Sequence, residues 1–81
     1  MPTQFTQAEL DKAQQDIDYA RSEVDHHRRR VAKLVERSEP SDLAFGTLRQ
    51  AQVSLMILET HREVVREGLA AERTNEAVLR S

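Results

Sequence analysis

Residues 10–34 read LDKAQQDIDYARSEVDHHRRRVAKL, and one line of positions through them decides the fold. Leu10, Ala13, Ile17, Ala20, Val24, His27, Val31 and Leu34 follow one another in alternating steps of three and four. Side chains at that spacing share a narrow strip on one side of a helix, the seam of a coiled coil. The same steps return in Leu48, Ala51, Leu55, Leu58, Arg62, Val65 and Leu69. Between the two runs stands Ser38-Glu39-Pro40-Ser41-Asp42. Pro40 disfavours helical geometry at Glu39 and has no N–H to give, so the chain must break there. Two long helices that fold back on each other are predicted: an all-α, antiparallel two-helix hairpin of coiled-coil type.

The helix ends carry their own signals. Thr6 is placed to cap, with Glu9 three residues on, and Phe5 and Leu10 have the spacing of a hydrophobic staple. The first helix is expected over about 7–37, with a turn at about 38–41. Ser41 or Asp42 suits the start of the second helix, expected over about 42–73. A frayed tail is expected over about 74–81, beyond Gly68, which weakens the helix by roughly 1 kcal/mol relative to alanine. The whole chain, residues 1–81, reads as a single helical-hairpin domain.

A turn near Ser41 sets the register. It pairs Leu34 with Leu48, Val31 with Ala51, His27 with Leu55, Val24 with Leu58, Ala20 with Arg62, Ile17 with Val65 and Ala13 with Leu69. On the flanks it brings Arg21 near Glu59, Glu23 near His61, and Val35 near Phe45. The Arg62 head is expected to reach Asp16 or Glu59 over the small side chain of Ala20.

Charged residues make up 32% of the chain and aromatics 4%, so one hairpin has little large apolar surface to bury. Yet the second helix carries another apolar stripe away from its seam: Val53, Met56, Ile57 and Val64, with Thr60 between them. A water-facing helix surface rarely holds such a run, so these five residues are the candidate interface. Arg28, Arg29, Arg30, Lys33 and Arg37 make the turn end basic, while Glu9, Asp11, Asp16, Asp18, Glu63, Glu67, Glu72 and Glu76, diluted by Arg66 and Arg73, make the open end acidic. A hairpin charged in this way would pair with a copy of itself tip to tail. A two-fold homodimer closing into a four-helix bundle is therefore expected, with another protein as a further partner.

Other chemistry finds less support. The basic string Arg28, Arg29, Arg30, Lys33 and Arg37 is a candidate anion patch, which would suit a nucleic-acid-associated accessory protein. A net charge of −2 and the lack of interleaved aromatics argue against that. Glu23, His27 and His61 make a conceivable metal trio, but a seam histidine beside a flanking one explains them more simply. There is no cysteine and no glycine-rich phosphate loop. No catalytic residue, cofactor, metal or small-molecule substrate is expected. No apolar run has the length of a membrane span, and residues 1–15 hold no leader-like core, so a cytoplasmic location is the default.

The plan resembles short uncharacterised bacterial proteins that consist of one helical hairpin. The likeness lies in Thr6-Gln7-Ala8-Glu9, in the His-Arg-rich stretch leading to Val31 and Leu34, and in Leu55-Met56-Ile57-Leu58-Glu59-Thr60-His61-Arg62. It spans residues 6–70 and implies no known activity. The expected role is a non-catalytic protein–protein interaction or assembly module, such as a small regulator docking on a larger protein.

Overall fold

Thr6 opens the first helix in an extended conformation, and its side-chain oxygen accepts a hydrogen bond from the Glu9 N–H at 3.1 Å. One of the orphan donors of the first turn is thereby satisfied. In this computed structural model, which describes residues 5–80, helix α1 spans Gln7–Glu36 and helix α2 spans Asp42–Arg80. The two pack against each other as a hairpin 66 Å long and 15 Å across. The described residues contain no other regular element.

The end of α1 is built by backbone geometry rather than by proline alone. Ser38 takes φ 55°, the left-handed region. This lets the Ser38 N–H reach the Val35 carbonyl at 3.0 Å and the Glu39 N–H reach the Leu34 carbonyl at 2.9 Å. That pair of bonds is a Schellman closure, with serine where glycine is usual. Helix α2 then starts behind Ser41, whose carbonyl accepts the Phe45 N–H at 2.9 Å. Asp42 lies in its first turn, where negative charge suits the helix dipole.

Each seam position in the sequence is buried or half-buried. Ala13, Ile17, Ala20, Val24, Val31, Leu48 and Val65 form the core, and Ile17 and Val65 are wholly withdrawn from water. Towards the turn, Val24, Val31 and Leu48 cluster, with Ala44, Ala51 and Leu55 packed on them. On the flank, Arg21 meets Glu59 at 3.5 Å, as the register predicts. Nearer the open end, Arg73 donates to Gln7 at 3.4 Å.

Two expectations need correction. Helix α2 continues to Arg80 instead of ending near 73. Gly68 is the last glycine and Pro40 the last proline, so nothing after them breaks a run containing Ala70, Ala71, Glu72 and Arg73. Ser81, the last residue of the expected tail, lies outside the described residues. Arg62 does not turn to Asp16 or Glu59. Its Nη1 donates to Gln14 at 3.0 Å, because the long stem lies along the seam towards the open end. Beside the turn, Val35 is 55% and Phe45 46% exposed.

The open end is closed by a contact between Phe5 and Gly68. The Phe5 ring lies against Gly68, and a Cβ at that position would run into it. The missing side chain thus supplies a seat for the one aromatic ring near the mouth of the hairpin.

Candidate functional site

Helix α2 turns three to four residues per turn, so Val53 and Ile57 stand roughly 200° round the helix from seam residue Leu55. Neither helix of the chain covers them. Val53 is 48% exposed, Met56 63%, Ile57 62% and Val64 49%. Thr60 sits in the same stripe, and its hydroxyl donates to the Met56 carbonyl at 2.9 Å. A threonine bonded back to its own turn makes no demand on water for that hydroxyl. The five residues proposed from sequence are therefore one continuous exposed face. The stripe also runs on, through Ala71 and past the expected helix end to Val78: both follow Val64 at seven-residue intervals and are exposed. Sequence reasoning missed Val78 because it ended the helix near residue 73; Ala71 lies within the expected helix, but its small side chain gives little signal.

The basic residues divide. All five are exposed, and among the described residues none forms an ion pair. Arg29, Lys33 and Arg37 recur every four residues on the side of α1 away from the seam, with Arg30 beside them. Arg28 lines a shallow hollow on the other side of Arg29, with Asp25 and Ala32. Arg29 thus lies between Arg28 on one side and Lys33 and Arg37 on the other. Lys33 lies in the last turn of α1, where positive charge also suits the dipole.

The histidines do not converge. His27 is largely buried and its Nε2 lies 3.5 Å from the Glu23 carboxylate on its own helix. The His26 ring stands edge-on to it at 5.3 Å. His61 is exposed, and among the described residues no three histidine or carboxylate groups come together as a metal site would need.

Two features were not visible in the sequence. On one flank an open groove of about 500 Å³ runs between the helices. Its floor is Ala20, Ala51 and Leu58, and its walls include Asp16, Tyr19 and Glu23. Ala20 and Ala51, small side chains in two separate layers, thin the seam along this trough. The other is the Arg62 guanidinium, only 17% exposed. Its Nε is buried with no hydrogen-bond acceptor among the described residues, although Glu63 Oε1 lies 3.3 Å away in the wrong direction for one. Glu63 also holds Arg66 at 3.1 Å.

Among the described residues, no helix is long and apolar enough to cross a membrane. No protein-family model matches the chain, and neither the curated proteins nor the solved structures compared with it give a significant match.

Proposed function

We propose that the chain is a non-catalytic interaction module that pairs with a second copy of itself through the outer face of α2, giving a cytoplasmic four-helix assembly of coiled-coil type. The observation that carries this reading is the exposure of Val53, Met56, Ile57 and Val64 on one side of a helix whose opposite side is already buried. Burying a large aliphatic side chain stabilises by roughly 1.5–3 kcal/mol, so four such groups in a row provide a strong drive to associate. The thin seam, rich in alanine and interrupted by His27 and Arg62, leaves the single hairpin with a small core and the same need.

Sedimentation velocity of the wild-type chain and of Ile57→Glu tests this. The wild type sediments as a dimer. The variant sediments as a monomer with its helical circular dichroism retained, because the charge enters the outer face and leaves the seam alone. A wild-type monomer at micromolar concentration defeats the reading.

The exposed, unpaired ridge of Arg29, Arg30, Lys33 and Arg37 supports a second reading, a nucleic-acid-associated accessory role. Binding to duplex or single strands at low salt, lost on modest addition of salt, would favour it. No binding at low salt removes it.

A further inference from the structure

The outer face of α2 has a pairing register of its own, and it rests on the self-association just proposed. Val53, Ile57, Thr60 and Val64 step by four, three and four, which is again seam spacing. The same steps reach back to Gly46 and Gln50 and forward to Glu67 and Ala71. Two polar groups therefore interrupt the stripe, Gln50 on one side of its centre and Glu67 on the other. Arg49 stands next to Gln50, and neither Arg49 nor Glu67 has an ion-pair partner among the described residues.

Parallel pairing would set the two basic turn ends side by side and each Glu67 against its own copy. Antiparallel pairing avoids both, and the position of Glu67 selects the register. A heptad slip one way lays Glu67 on Leu43, and a slip the other way lays it on Ile57 and brings Glu63 against Glu63. Between them lies one arrangement that sets Glu67 against Gln50 and beside Arg49. It also sets Val53 against Val64, Ile57 against Thr60, and Gly46 against Ala71. The two small residues let the backbones approach, and the open space around Gly46 accommodates the Ala71 methyl. The Thr60 hydroxyl, bonded within its own helix, turns no unsatisfied donor into the contact.

We propose that two copies join through α2 in this antiparallel register, with Val53 opposite Val64, Ile57 opposite Thr60, and Arg49 and Gln50 receiving Glu67. Because the stripe lies opposite the first seam, the four helices stand in a row with the two α2 helices in the middle, rather than closing into the bundle expected from the sequence.

The chain has no cysteine, so disulfide trapping reads the register without background. In the Val53→Cys/Val64→Cys variant the two positions are roughly 16 Å apart along one helix and cannot bridge within a chain. Mild oxidation of this double variant gives a covalent dimer, and neither single variant does. A charge swap gives a second reading: Arg49→Glu and Glu67→Arg each weaken the dimer at least roughly tenfold, and the double swap restores it. A sedimenting dimer in which a single variant cross-links, or in which the double variant fails to, overturns the register and leaves the self-association standing. A wild-type chain that sediments as a monomer overturns both.

Discussion

The two helices of the hairpin differ most on the sides they turn away from each other. On α1 the far side carries Asp11, Gln15, Asp18, Ser22, Arg29 and Lys33, all exposed and all polar. On α2 it carries Val53, Ile57, Val64, Ala71 and Val78, all exposed and apolar, with the polar residues Gln50, Thr60 and Glu67 along the same strip. Both helices use one strip to hold the hairpin, and only α2 has a second. A helix with a single apolar strip is satisfied by one neighbour, whereas a helix with two needs a neighbour on each side. The difference supports the proposal that association uses α2, with α1 as its support.

Substitutions at six positions sharpen or break this contrast, with stability best compared in the Ile57→Glu background, where association is expected to be lost. The largest effect falls on neighbouring valines. Val65 is wholly buried and Val64 is 49% exposed. Val65→Ala is expected to destabilise the hairpin by about 2–3 kcal/mol, from lost burial plus the cavity left behind. Val64→Ala leaves urea unfolding within about 0.5 kcal/mol, and weakens association when made in the wild type. Equal losses from both would mean that α2 does not have two independent sides.

Gly68 comes next. Alanine there raises helix propensity by about 1 kcal/mol but displaces the Phe5 ring. With Phe5 present the change is expected to bring no gain in thermal stability, or a loss. In a Phe5→Ala chain the same change is expected to stabilise by about 1 kcal/mol. A gain in both backgrounds would show that the ring does not hold the mouth.

Ser38→Gly removes the strain of a side chain at positive φ and is expected to stabilise by about 1 kcal/mol, read from the urea midpoint. The smallest effect belongs to the far side of α1. Arg29→Ala and Lys33→Ala are expected to change stability by less than about 0.5 kcal/mol and to leave the dimer intact. A dimer lost on either change would move the association surface to α1.

The seam was legible because every residue on it obeys one spacing, and the burial follows that spacing from Leu10 to Leu69. The Thr6 cap and the Arg21–Glu59 pair were legible for a related reason: each depends on short, fixed offsets along or across the helices. What escaped was governed by reach and by backbone conformation. Arg62 is long enough to choose among several acceptors, and spacing cannot say that it takes Gln14. Ser38 enters the left-handed region without the glycine that would announce it. Gly68 reads as a weak point in a helix until Phe5, distant in sequence, is seen lying on it. The exposed stripe of the candidate site was visible from its period, but its extension to Val78 was hidden by a helix end set too soon.

Phe5 lies before the first helix yet rests on the second. Fraying of the first turn and parting of the helices at their free ends are therefore a single event. The Leu10 amide, bonded to the Thr6 carbonyl, should exchange its hydrogen with the same opening free energy as the amides flanking Gly68. The far end, tied by covalent chain and a closed carbonyl network, should open separately, so the rod comes undone from one end as a zip does.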